Sequence, residues 1–488
     1  MKAAFRVVNT AFRIVNVSFE IVNVSFRTVN VSFGTVNDTL KNTKNFNVSC
    51  VLSAKSFFYS NFVSKKLKQA TINLHKDMRQ TITVLAALAM TASTAMAQKT
   101  IEVTVENTLK MPRPAQPVIV SVAQLGMNVR TAVVMDGNRE IASQLDDLNG
   151  DGICDELCFI TNIDAKEKKT FKVTVDDKGT QRRYKPQVYA EMMLVNRKIK
   201  ATNKQDIYIS NLTVDKGVNP YWSLHHHGAA FENEMVAYRI YFDHRQTVDI
   251  YGKYRMGLEL RETQFYPDNE QKANGYGDDV LWVGSTFGVG ALRGWDGKTP
   301  QMLSDVEHRT QKIVTRGPLR TIVDVVDEGW NTMNEGKAPI DMTTRYTLYA
   351  GRRDCMVDIT FAPSAKGYQF ATGIINVKNS REYNDNKGLR GCWGTDWPVS
   401  EKDSAGHKRE TVGLGICIPH HNVVKVLDKN KDNYPFVVGN AADRLSYGIS
   451  FCSANEEFGF DTAKEWFEYL KDWKKDLSTP VKVTVKAQ

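Results

Sequence analysis

Of 488 residues, 64 are Lys or Arg and 55 are Asp or Glu, which gives the chain a formal charge of +9. That surplus belongs to the front end: residues 1–97 hold twelve basic and three acidic side chains, and residues 98–488 hold 52 of each sign. A balanced body of 391 residues has room for two domains or more and gives no electrostatic case for nucleic acid or an acidic membrane surface.

From Phe5 to Thr39 the units FRVVNTA, FRIVNVS, FEIVNVS, FRTVNVS and FGTVNDT repeat every seven residues. Val and Asn are poor helix formers and the charged flanking positions are missing, which argues against a coiled coil. Five short units without glycine turns do not make a solenoid. Residues 1–77 are therefore expected to be an over-extended, disordered leader that does not join the folded protein. Residues 78–97, MRQTITVLAALAMTASTAMA, have the form of a secretory signal peptide: Arg79, an apolar run from Val84 to Met90, and the small-x-small site Ala95-Met96-Ala97. The apolar run is too short to span a bilayer. The expected product is periplasmic or secreted, with no membrane insertion after cleavage. It keeps six cysteines, Cys154, Cys158, Cys355, Cys392, Cys417 and Cys452, with no CxxC motif, and its composition does not depend on disulfides for a core.

Residues 98–180 read as a small β-sandwich. TIEVTVEN, QPVIVSVAQL, TAVVMD, EIASQL, ELCFI and FKVTV are short alternating segments separated by turn residues. Within it, QLDDLNGDGICDELCF places Asp147, Asn149, Asp151 and Asp155 at positions 1, 3, 5 and 9 of a loop, with Gly152 at position 6. That spacing turns oxygen donors toward one centre and suits a structural Ca²⁺, with Glu156 as an extra donor. Cys158 stands where an EF-hand has its glutamate, and the flanks are strands. The competing reading is an Asp/Asn/Gly-rich turn with no metal. No organic cofactor is expected.

Residues 181–488 continue as longer strands at 236–243, 247–253, 306–315, 319–327, 342–349, 355–361, 371–377, 412–418 and 446–452. RGPLR (316–320) and YAGRRD (349–354) are turns between neighbours. Antiparallel strands without alternating helices predict a large sandwich. The last element is a helix that Asp461 or Thr462 caps with Glu465. Its apolar stripe is Trp466, Tyr469, Leu470, Trp473 and Leu477, and VKVTV (481–485) returns as an edge strand.

The densest chemistry lies in HHHGAAFENEMVAYRIYFDHRQTVDIYGK, residues 225–253. It reads as a histidine loop and a β-hairpin in which Asp243 pairs with Thr247, Tyr241 with Asp249, Arg239 with Tyr251 and Ala237 with Lys253. One face then carries Arg239, Tyr241, Asp243, Thr247, Asp249, Tyr251 and Lys253, and the other is apolar. Either this face is solvated with cross-strand ion pairs, or it floors a polar cleft. The triple-histidine run does not favour zinc, because consecutive histidines point in different directions. Three loops join the candidate site: Asp278, Asp279 and Trp282 in 275–286, Arg293 and Trp295 in 290–298, and Trp393 and Trp397 in 390–398. Indole rings stack on the apolar face of a pyranose while carboxylates and guanidinium groups bond its hydroxyls.

The calcium-type loop, residues 225–253, GYGDDVLWVG and RYTLYAGRRD together resemble the domain of unknown function 4861 family. These are exported proteins of bacterial polysaccharide-utilisation systems, and the resemblance covers residues 98–488 and none of 1–77. It implies complex, often uronic-acid-containing glycans, and an all-β fold whose large antiparallel part is a galactose-mutarotase-like supersandwich with a C-terminal helix. The expected ligand is an oligosaccharide or polysaccharide. Expected catalytic residues are His226, His227, Glu232, Arg239, Tyr241 and Lys253, and expected substrate contacts are Asp243, Asp249, Tyr251 and the loop residues above. A lyase needs a base, a cation for the uronate and an acid; a hydrolase needs two carboxylates. A non-catalytic glycan-binding module, or a mutarotase or epimerase using His226 with Glu232, stay open as alternatives.

Overall fold

A computed structural model of the protein describes residues 98–439 and 443–487. The heptapeptide repeats and the leader at 78–97 lie outside them. Alternation along Gln98–Glu106, Lys168–Asp176, Arg113–Ser121 and Glu156–Ile163 turns Val103, Val105, Phe171, Val173, Val118, Val120, Leu157 and Phe159 inward, and these side chains form one core. Five strands make one sheet and three the other. The fifth strand comes from the far end of the chain: Lys482–Ala487 pairs antiparallel with Gln98–Glu106, in the edge position expected for VKVTV.

The rest is the expected large antiparallel sandwich. Its nine-stranded sheet runs in spatial order Asn211–Asp215, His308–Arg316, Arg320–Trp330, Ile340–Tyr349, Asp354–Ala362, Arg444–Ser453, Glu410–Cys417, Leu389–Asp396 and Arg381–Asn384. Two five-stranded sheets face it. One is Asp278–Asp279, Val248–Gly252, Ala237–Tyr241, Gly228–Asn233 and Val188–Glu191; the other is centred on Gln369–Ile375 and Asn433–Gly439. A single apolar core lies between, with Tyr238, Ile240, Val248 and Ile250 from the first, Ile374, Phe436 and Val438 from the second, and Val323, Tyr346, Val357 and Ile449 from the nine-stranded sheet. Each such side chain contributes about 1.5–3 kcal/mol on burial.

The C-terminal helix, Ala463–Ser478, starts with Thr462 and Glu465 in the expected capping box and lays Trp466, Leu470 and Trp473 on the outer face of the nine-stranded sheet. It sits close because that face is glycine there. A β-carbon on Gly391 would lie 2.2 Å from Leu470 Cδ1, and one on Gly413 would lie 2.8 Å from Trp466 Cδ2. Residues 390–398 are therefore not the loop expected: Leu389–Asp396 is a strand whose glycines make room for the helix. All six cysteines in the described residues are free. None of the helices among the described residues is long and apolar enough to cross a membrane.

Arg320 joins the two sandwiches, donating to Asp146 Oδ2 at 2.8 Å and Glu156 Oε2 at 2.8 Å, while Gln144 Oε1 accepts from Leu319 and Arg320 backbone N–H groups. Asp146 and Glu156 bracket the Asp-rich loop.

The hairpin differs from expectation in register. Arg239 pairs with Asp249 and Ala237 with Tyr251, a slip of two residues, and the strand ends at Tyr241. Asp243 is the reason: its carboxylate accepts from the Arg245 backbone N–H at 2.8 Å and its carbonyl from Gln246, which makes residues 242–247 a longer loop. A two-residue slip preserves which side chains share a face.

Candidate active site

The polar face of the hairpin is neither solvated nor open. After Gly252 the chain folds back over it, and Glu232 fixes the return by accepting from the Glu259 and Leu260 backbone N–H groups at 2.9 and 2.8 Å, where the one-turn helix Leu260–Thr263 begins. Leu260 and Phe265 then pack on Ala237 and Tyr251. Arg239 is the hub beneath. Its Nε and Nη2 donate to Asp249 Oδ2 at 2.9 and 2.6 Å, Nη2 also donates to Asp279 Oδ2 at 2.8 Å, and Nη1 donates to Tyr266 Oη at 3.0 Å. Tyr241 Oη donates to Asp249 Oδ2 at 2.8 Å, and the Phe265 ring lies 4.1 Å from the guanidinium carbon.

Two carboxylates thus share one guanidinium nitrogen, in unequal surroundings. The Asp249 side chain is 1% exposed and that of Asp279 22%. Burial, and then the charge of Asp249, push the Asp279 carboxyl well above the usual carboxylate range, with Arg239 opposing. Of the pair, Asp279 is the partly exposed member and Asp249 the buried one.

The histidine loop forms one wall. Its three rings find three different partners: His225 Nε2 bonds Gln264 O at 3.2 Å, His226 Nε2 bonds Glu191 Oε1 at 3.3 Å, and His227 Nδ1 donates to Tyr221 O at 3.0 Å. Burial lowers their pKa values to about 3, about 3 and about 4, so all are neutral near pH 7. His227 stacks on Tyr221 with centroids 3.8 Å apart. Arg245 lies over the rings of Tyr221 and Tyr241, at 4.5 and 5.0 Å, and is ion-paired to Asp243 at 2.6 Å. Trp222 (79% exposed) lies edge-on to the His227 ring at 5.3 Å, and Trp282 (49% exposed) follows Asp279 by three residues; both indoles are bare.

Backbone strain marks the same place. Ten non-glycine residues in the described chain have positive φ; four lie in the two segments beside Arg239, His226 (+41°), His227 (+69°), Gln264 (+46°) and Phe265 (+71°), and a fifth, Gln246 (+42°), is in the hairpin loop. Such conformations cost on the order of 1–3 kcal/mol each and gather where function holds them.

The predicted residues divide. Arg239, Tyr241, Asp249, Asp279 and His227 come together. His226 and Glu232 do not face each other: His226 precedes the strand Gly228–Asn233 and bonds Glu191, while Glu232 lies near the far end of that strand and bonds Lys253 Nζ at 2.6 Å. Glu232 and Lys253 are fully buried. Tyr251 donates to Glu259 at 3.0 Å, and Asp278 pairs with Lys272. Asp243, expected on a strand diagonal to Asp249, is in the loop. Arg293 is buried behind the site on Thr247 and Thr286, and Trp295 belongs to a separate cluster with Phe287 and Val437. Trp393 packs toward the C-terminal helix, and Trp397 contributes a backbone oxygen that accepts from Trp282 N–H at 3.2 Å. Sequence reading missed Glu191, Tyr221, Arg245, Phe265 and Tyr266. Tyr221 and Arg245 flank residues already singled out. Tyr266 arrives through a left-handed reversal that no sequence signal announces.

In the Asp-rich loop, Asp147 accepts from Gly150 and Gly152 N–H at 2.6 and 2.7 Å, Asn149 from Asp151 at 2.8 Å, Asp151 from Ile153 at 2.8 Å and Asp155 from Leu148 at 2.7 Å. The Gly152 bond is the main cause that lowers the Asp147 pKa. Among the described residues no group of three or more His, Cys, Asp or Glu is arranged to hold a metal ion.

The family described as domain of unknown function (DUF4861) matches residues 105–483, which is most of the chain. The protein belongs to this family. No curated protein matches it in sequence. Among solved structures it is similar to a protein of glycosyl hydrolase family 38 from Enterococcus faecalis, at 10% identity and TM-score 0.42, over 80% of this chain and 47% of that one. It is also similar to an α-mannosidase from Enterococcus faecalis V583, at 11% identity and TM-score 0.40, over 87% and 51%. The chain spans about half the length of these two structures.

Proposed function

We propose that this family member is an exported carbohydrate-active enzyme that cleaves uronic-acid-containing oligo- or polysaccharides at the Arg239 centre. The observation that carries the reading is the pair Asp249 and Asp279 on one guanidinium nitrogen, with Asp279 the partly exposed member and its pKa raised by burial and by Asp249. Asp279 is the proton donor to the glycosidic oxygen. Asp249 keeps Asp279 protonated and fixes Arg239 and Tyr241. Water attacks the anomeric carbon as that bond breaks, because Asp249, 1% exposed and bonded by Arg239 and Tyr241, does not reach it. Trp222 and Trp282 offer stacking faces for sugar rings.

A second reading, a lyase, is favoured by His227. Its Nδ1–H is spent on the Tyr221 carbonyl, which leaves Nε2 as a lone pair on a ring that stays neutral down to about pH 4. Such a nitrogen suits removal of the proton α to a uronate carboxylate.

Digests of polygalacturonate, alginate and glucuronoxylan separate the readings. New reducing ends without ultraviolet absorbance mean hydrolysis, absorbance from an unsaturated uronide means elimination, and binding with neither means a glycan-binding module. In Asp279→Asn the hydrolytic rate falls by roughly 10²–10⁴, and the loss of rate with rising pH that comes from deprotonating Asp279 disappears. Full activity in that variant would exclude Asp279 as the acid.

A further inference from the structure

We infer that a cavity next to the Arg239 centre is a second subsite that takes an uncharged sugar unit, so that the preferred ligand pairs a neutral sugar with the unit at the centre. The cavity measures about 310 Å³ and is lined by Asp215, Asn219, Asp243, His244, Ser304 and Arg309 among others. This inference rests on the carbohydrate reading of the centre but not on its being an enzyme.

The two sites share a wall. Asp243 lines the cavity while its carboxylate holds Arg245, and Arg245 lies across Tyr221 and Tyr241 on the side of the centre. The connection 216–222 that forms the outer lip also carries Trp222 and Val218, which is 55% exposed. A ligand bound at the centre and extended past Trp222 would meet this lip at Asn219, three residues before it in the same connection.

The lining is built rather than incidental. Arg309 is buried, donating from Nε to Asp327 Oδ1 at 2.7 Å and from Nη2 to the Leu303 carbonyl. Asp327 in turn accepts from Gln246 Nε2 at 2.7 and 2.6 Å, so the strained hairpin loop and the cavity wall are held by one carboxylate. Rigid polar groups lose little entropy when a ligand binds.

The charges select the ligand class. Asp243 is matched by Arg245, Arg309 by Asp327, and Lys216 by Asp305 and Glu307. No cation is left over for a phosphate, sulfate or second carboxylate. What remains uncommitted is hydroxyl-scale hydrogen bonding: among the described residues, Asn219 Nδ2, the His244 ring and Ser304 Oγ have no protein partner. An amide, an imidazole and a hydroxyl around such a volume match a ring of hydroxyls.

Binding tests the inference without any need for turnover. Trp fluorescence titrations of the full chain would compare glucuronic acid with aldobiouronic acids in which glucuronic acid is linked to xylose, rhamnose, mannose or galactose. At least one disaccharide should bind tenfold or more tighter than the monosaccharide. In His244→Ala and Ser304→Ala that gain should shrink to threefold or less, while affinity for glucuronic acid stays the same. Melting curves confirm that the variants fold, and both side chains lie at the surface of the cavity. Equal affinity for single and paired units, no binding of any disaccharide, or an undiminished gain in both variants would overturn the subsite. A protein that shows the gain but cleaves nothing would lose the enzymatic reading and keep the subsite.

Discussion

Glu191 and His226 form a buried pair whose two titrations oppose each other, and removing one member should expose the other. Burial raises the Glu191 pKa from 4.5 to about 8 and lowers that of His226 from 6.5 to about 3. Tyr189 donates to Glu191, Arg261 and Arg316 lie near it, and Arg239 adds to the shift on His226. For Glu191 the folded pKa is raised, so its contribution to stability is complete below pH 4.5 and is lost as pH rises toward 8. For His226 the folded pKa is depressed, so its contribution is complete above pH 6.5 and is lost as pH falls toward 3. Between pH 7 and pH 4 each contribution changes by on the order of 3 kcal/mol, at 1.36 kcal/mol per pKa unit, and the signs are opposite. The wild-type pair is therefore nearly silent over this range. Glu191→Gln keeps a group of the same shape against Tyr189 and His226 but removes the carboxyl titration. It should be more stable than wild type at pH 7, and it should lose about 3 kcal/mol more than wild type on going to pH 4. Urea unfolding of both proteins at both pH values measures this as a difference of differences, which cancels every other titrating group. A double difference below about 1 kcal/mol would refute the opposed-titration argument.

Three further outcomes are expected. Trp466→Ala should cost about 3–5 kcal/mol in urea unfolding, because the indole fills the space over Gly413 and donates to Leu414 O at 3.1 Å. Lys253→Met should cost about 3–5 kcal/mol by leaving Glu232 buried and unpaired, and Glu232→Gln in that background should recover part of the loss. Calcium at Asp147, Asn149, Asp151 and Asp155 is proposed on their spacing, and the loop adjoins Asp146 and Glu156, which hold Arg320. Melting should therefore rise by several degrees between EDTA and millimolar Ca²⁺, and superimposable curves would remove the metal.

Much of the fold was legible because period-two alternation survives burial on one face. Nine strands, two turns and the C-terminal capping box fall where the residues place them. What was lost concerns elements whose sequence is set by a neighbour. Leu389–Asp396 looked like a loop because Gly391 and Gly394 are turn residues by habit, yet Gly391 is small to admit Leu470. The hairpin register slipped because Asp243 bonds its own loop, a local choice that alternation does not encode. The polar face was read with the right members, since a two-residue slip conserves parity, but its roof could not be read. Phe265 and Tyr266 reach Arg239 only through the left-handed Gln264–Phe265 step, and neither residue advertises such a backbone.

The roof excludes one of the two sequence readings of the hairpin, the solvated face. A solvated face of cross-strand ion pairs contributes little and leaves each pair exchangeable with water. Here Arg239 and Asp249 are buried, which costs desolvation that their attraction barely offsets, and four left-handed residues add strain in the segments beside them. A fold under selection for stability alone would replace such a cluster with apolar packing, as the opposite face of the same hairpin does. Burial leaves only Asp279 and Tyr266 of the network at the surface, beside bare indoles. The strain and desolvation beneath them hold one carboxyl and one ring in fixed positions at the surface.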